Sequence, residues 1–160
     1  MATRDDLVLT KNDTRVEVLR DGLLVFRARS FRPAVLTENQ NTALELRHGE
    51  DVLLHISLRD NKRLVLDSRK AGEDWGARRQ VIDGILLNRS SPTITVFNHG
   101  ENGYQILFDY QTVAFYRKGF APNAEVSAVR YATSPAGAEG ALGKEVNVFS
   151  FERLGDFTAP

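Results

Sequence analysis

At 160 residues, 42% hydrophobic and 26% charged, the chain suits one domain spanning 1–160 with a substantial core. Lysine plus arginine and aspartate plus glutamate each total 21, so the formal charge is zero and there is no global electrostatic case for nucleic acid or an anionic membrane. The absence of cysteine excludes disulfides and thiolate metal sites, no apolar run approaches the ~20 residues of a membrane span, and the start MATRDDLVLTKND lacks the apolar core of a signal peptide. The expectation is synthesis in the cytoplasm, with no membrane insertion, no cofactor and no metal.

Short alternating segments broken by turn residues follow one another along the whole chain. Strands are predicted at Arg15 to Leu19, Leu23 to Arg27, Ala34 to Leu36, Thr42 to Arg47, Val52 to Arg59 and Arg63 to Ser68. They continue at Arg78 to Ile82, Thr93 to Asn98, Tyr104 to Asp109, Thr112 to Arg117, Val126 to Tyr131 and Val146 to Arg153. Turn chemistry separates them: DG at 21, HGE at 48, DN at 60, AGED at 71, SSP at 90, NHGENG at 98 and APN at 121. The glycine-rich piece SPAGAEGALG, residues 134–143, reads as a long loop or hairpin tip. No segment keeps a helical period, so the fold class is an all-β sandwich.

One strand stands out chemically. In VLLHISLR, residues 52–59, alternation sets His55, Ser57 and Arg59 on one face and Val52, Leu54, Ile56 and Leu58 on the other. The next strand, LVLDSR at 64–69, repeats the device: Leu64 and Leu66 point inward while Val65, Asp67 and Arg69 project outward. Trp75 follows in the polar turn AGEDWGARR, with no apolar neighbours in sequence to bury it, and reads as an exposed plate. A row of charged and hydroxyl groups closed by one aromatic plate suits a sugar, which has hydroxyls at its rim and an apolar C–H face.

These segments, with TITVFNHGENGYQILFDYQTVAFYRK after them, resemble the galectins, most closely the fungal (mushroom) members, from about Asn41 to Phe120. The resemblance implies a galectin-type jelly-roll sandwich of two antiparallel sheets and a calcium-independent lectin for β-galactosides. It also implies glycan or glycoconjugate partners, assembly into a homo-oligomer (dimer or tetramer), and export by a non-classical route. In the family pattern His55, Ser57 and Arg59 grip the axial galactose hydroxyl, Val65 and Asp67 stand on the next strand where the family has Val and Asn, and Trp75 stacks on the ring. Arg69 would make rim contacts. Three and five residues past the tryptophan, where the family has Glu and Arg, this chain has Arg78 and Gln80. Asp67 is therefore expected to pair with Arg59 or Arg78 and, with Arg78 and Gln80, to alter specificity.

Other readings compete. Asp67, Glu73 and Asp74 are close in sequence, as glycosidase carboxylates are, but Glu73 and Asp74 fall among Arg69, Lys70, Arg78 and Arg79, whose charges keep carboxylates ionised. There is no Gly-x-Ser-x-Gly, phosphate loop or metal-binding histidine pair, so an enzyme is not expected. A galectin-fold protein-interaction module that has lost its sugar is the alternative, and Arg78 in place of Glu motivates it. As competing readings, Arg69 and Arg79 are solvated surface charges, His48 and His99 loop residues, and Tyr104, Phe108, Tyr110, Phe115 and Tyr116 packing aromatics.

Overall fold

A computed structural model describes residues 7–9, 14–18, 22–32, 41–59, 63–84, 86–120, 124–134, 140–143 and 145–151. The predicted strand at Ala34 to Leu36, the loop residues 135–139 and the end of the last strand beyond Phe151 lie outside the described residues, as do Leu19 and most of the turns at 21, 60 and 121.

Among the described residues twelve strands run in chain order: β1 Leu7–Val8, β2 Thr14–Val18, β3 Leu23–Ala28, β4 Asn41–His48, β5 Asp51–Leu58, β6 Leu64–Arg69, β7 Gln80–Ile82, β8 Thr93–Asn98, β9 Tyr104–Phe108, β10 Gln111–Tyr116, β11 Val126–Ser134 and β12 Val146–Phe151. They form two six-stranded antiparallel sheets, ordered β1-β12-β3-β8-β9-β10 and β2-β11-β4-β5-β6-β7. Every other described element expected from alternation is present. The two-residue strand β1 and a short 3-10 turn at Gly100–Asn102 were not anticipated.

The core lies between the sheets. Leu44, Leu46, Leu54, Ile56, Leu58, Leu64 and Leu66 of one sheet pack toward Leu24, Phe26, Ile94, Val96, Ile106 and Phe108 of the other. Period-two alternation drives this arrangement, because most strands give their alternate side chains to the space between the sheets. Tyr104 and Tyr116 join the core as expected, and burial pushes the Tyr104 phenol well above its ordinary value. Tyr110 and Phe115 are corrections: both are exposed, at 67% and 62%, because Tyr110 occupies the β9–β10 turn and Phe115 faces away from the core on the edge strand.

A bulge in β5 corrects the expected alternation at one point. Leu46 pairs with Leu54 but Arg47 pairs with Val52, leaving Leu53 as an extra residue. The same irregularity appears toward β6, where Val52 faces Arg69 and His55 faces Asp67. The extra residue turns the local face over. Leu53 thus joins Leu54 in the core cluster, whereas Val52, expected inward, is buried on the opposite face between Arg47 and Arg69.

Candidate functional site

The outward face of the β11-β4-β5-β6 sheet forms a groove of about 380 Å³, lined in part by His55, Arg59, Val65, Asp67, Arg69 and Trp75. Strand register builds it row by row. Arg130, Glu45, His55 and Asp67 stand opposite one another across four strands. Ala132, Ala43, Ser57 and Val65 make the neighbouring row, of which Ala132, Ala43 and Val65 floor the groove. On the other side Arg47, Val52 and Arg69 make the third.

Within the middle row, the Nδ1 of His55 lies 2.7 Å from Glu45 Oε2, and Arg47 donates to Glu45 Oε1 at 3.1 Å. Burial of Glu45 works to raise its pKa, but the hydrogen bond and charge of His55 and the Arg47 guanidinium outweigh it, so the carboxyl titrates below its ordinary value of 4.5. An ionised Glu45 accepts from His55 Nδ1–H, so that ring nitrogen is the donor of the pair. Ser57 is fully buried and does not line the groove; it accepts from Arg59 Nε at 2.8 Å and so aims that guanidinium.

Asp67, 1% exposed, organises the segment that carries Trp75. Its Oδ1 accepts the Ser68 backbone N–H at 2.9 Å, and its Oδ2 accepts the Gly76 N–H at 3.0 Å and Arg79 Nε at 3.4 Å. Gly76 has φ 110°, a conformation that a side chain would strain. Trp75 is half-buried, its ring 4.6 Å from His55 and tilted by 44°, with the Arg69 guanidinium 4.4 Å from its centroid. The plate is thus exposed only in part: a cation and an imidazole already touch it.

Arg78 and Gln80 are not brought into the groove. Arg78 pairs with Glu73 at 2.9 Å and lies 5.0 Å over the Phe120 ring. The hydrogen bond from Arg78 holds the Glu73 carboxyl below its ordinary value. Gln80 stands opposite Leu66, a core residue, and so is on the wrong face of β7 to reach the groove. The expected partnership of Asp67 with Arg59 or Arg78 gives way to one with Arg79, because the Gly76 turn brings the residue after Arg78 back over the carboxylate. The back of the loop is fastened as well: Tyr116 Oη donates to the Arg78 carbonyl at 3.0 Å and lies 2.7 Å from Ser68 Oγ.

Sequence reasoning missed Glu45, Arg47, Arg79 and Arg130. Glu45 had a signal, an acid between two leucines on a predicted strand. Arg130 had none, since it reaches the groove only through the pairing of β11 with β4. No group of acids and histidines suited to a metal ion occurs among the described residues, and no helix among them is long and apolar enough to cross a membrane.

No family profile matches the chain. Galectin-1 of Coprinopsis cinerea is 34% identical over 109 residues, covering 66% of this chain and 72% of that protein. Galectin-2 of the same fungus is 38% identical over 77 residues, 48% of this chain and 51% of that protein. Among solved structures, a galectin of Caenorhabditis elegans has a TM-score of 0.63 at 16% identity over 94% of this chain and 96% of that one. Sheep galectin-11, in complex with glycerol, has a TM-score of 0.60 at 14% identity over 87% and 97%. The fold and these relatives define a galectin-type lectin and not an enzyme. The chain belongs to the galectin family.

Proposed function

We propose that the chain, acting as one carbohydrate-recognition domain over residues 1–160, binds β-galactoside-type glycans in this groove. The observation that carries the reading is the convergence of His55, Arg59, Asp67 and Trp75 on one groove from two strands and a loop. Arg59 donates to ring hydroxyls, His55 Nε2 hydrogen-bonds to one, and the exposed part of Trp75 packs against the C–H face of the sugar. Each net hydrogen bond contributes only ~0.5–1.5 kcal/mol, so single-site affinity is weak and symmetric dimers or tetramers supply avidity. Specificity departs from simple galactosides through Asp67, whose charge is shared with Arg79, while Arg78, paired with Glu73, acts through loop position.

Calorimetric titration with lactose tests this, with Trp75→Ala as the control. The parent is expected to bind and Trp75→Ala to lose binding while keeping its melting temperature within a few degrees, since partial exposure limits the packing lost. A large drop in melting temperature would make Trp75 a core residue and remove its stacking role. The Arg69 guanidinium over the Trp75 ring favours a second reading, an interaction module without sugar binding. A glycan array with no ligand, together with loss of self-assembly in His55→Ala or Arg59→Ala, supports that module instead.

A further inference from the structure

Two of the groove arginines face carboxylates, Arg47 with Glu45 at 3.1 Å and Arg79 with Asp67 at 3.4 Å. Arg69 does something else. Its guanidinium lies 4.4 Å from the centroid of the Trp75 ring, and it pairs with no carboxylate among the described residues. The bulge in β5 prepares this placement. Because Leu53 is the extra residue, Val52 stands opposite both Arg47 and Arg69 on the groove side of the sheet, and it is fully buried there. Aliphatic arginine stems lying over Val52 account for that burial. A stem seated in this way limits where its guanidinium can reach, and a bulge is a common means of re-aiming a side chain beside a site.

The rows of the sheet fix the direction of the effect. Arg69 belongs to the row on one side of His55 and Asp67, whereas Ala43, Ala132 and Val65 floor the groove on the other side. The Trp75 ring meets His55 at 4.6 Å as well as Arg69, so it stands across the boundary between these two rows, with the cation on the side away from the open floor. A guanidinium is attracted to the face of an indole, and a plate already held in place has less freedom to lose when a sugar packs on it. We propose that Arg69 is a positioning residue of the sugar site: it braces Trp75 from the side away from the floor and raises affinity through the tryptophan, without touching the sugar. This rests on the lectin reading above and assigns the residue that preorganises its plate.

Trp75 is the single tryptophan of the chain, so fluorescence reports this contact directly. The full chain would be compared with Arg69→Met, which keeps an apolar stem and removes the cation. Acrylamide quenching before ligand is added would be measured alongside calorimetric titration with lactose. Arg69→Met is expected to shift the emission, to open Trp75 to the quencher and to leave the melting temperature within a few degrees. Lactose binding should weaken about two- to fivefold, the scale of an exposed cation–π contact. Arg69→Lys, a cation without the planar fork, should recover part of both signals. Should Arg69→Met not fold, Arg69→Gln carries the same comparison. Weaker binding with unchanged emission and quenching makes Arg69 a direct sugar contact and overturns the brace. Unchanged or tighter binding overturns it as well, and the tighter case shows that the arginine covers the plate. All of these outcomes leave the lectin reading standing. Binding of lactose by neither the parent nor any variant overturns that reading and this inference together.

Discussion

Asp67 Oδ2 accepts the backbone N–H of Gly76 at 3.0 Å, and this bond ties the polar strand to the loop that presents the aromatic plate. A carboxylate suits the position because it accepts three hydrogen bonds at once, from Ser68, Gly76 and Arg79. Asp67→Ala is expected to cost on the order of 1–3 kcal/mol in chemical unfolding, since buried donors lose their acceptor. Tryptophan fluorescence should shift with it as the Trp75 loop loosens. Unchanged fluorescence together with unchanged stability would mean that the loop holds its own shape.

Tyr116 performs the matching task from behind. Its hydroxyl reaches both Ser68 and the Arg78 carbonyl, and burial raises its pKa while the Ser68 hydrogen bond pulls the other way. Tyr116→Phe keeps the ring in the core and removes only those bonds, so a loss of about 1 kcal/mol is expected. The informative readout is amide exchange of residues 70–79, which should accelerate more than that of the core strands. Uniform acceleration would point to simple global destabilisation.

The bulge at Leu53 makes an unusual demand on two adjacent residues. Strict alternation would expose Leu53 and make its truncation nearly silent, but both Leu53 and Leu54 are in the core cluster. Leu53→Ala and Leu54→Ala should each cost about 2–5 kcal/mol in denaturant unfolding. If Leu53→Ala is neutral, the face reversal at Val52 is wrong, and with it the register that pairs Glu45 with His55.

Acid should weaken the fold partly through Glu45. Its folded-state pKa lies below the ordinary 4.5, so its contribution is present above that value and is lost as pH falls through the folded pKa. Stability measured from pH 6 downward should decline once the pH passes below about 4.5, more steeply in the parent than in Glu45→Gln. Equal slopes would show that the His55–Glu45–Arg47 contacts contribute nothing to acid sensitivity.

Local pattern determined much of this protein without help from the fold. Leucines alternating in 44–46 and 64–66 can hide only one face of a strand, and turn residues at regular spacing leave room for little besides a sandwich. His55, Arg59, Val65, Asp67, Arg69 and Trp75 were all readable as one polar face with a plate, and all six line the groove.

What tertiary structure decided lies where pairing between strands outranks pattern within them. With an unbroken ladder from His48 opposite Asp51, Glu45 would face Leu54 and point away from the site. The extra residue Leu53 moves it opposite His55, and no local signal in VLLHISLR announces that slip. Arg130 comes beside Glu45 only because β11 pairs with β4 across more than 80 residues of chain. Arg78 and Arg79 are chemically identical neighbours, yet one turns to Glu73 and Phe120 and the other to Asp67. The division follows from the course of a loop bent at Gly76, and side chains of the same type give no sequence-level reason to choose between them.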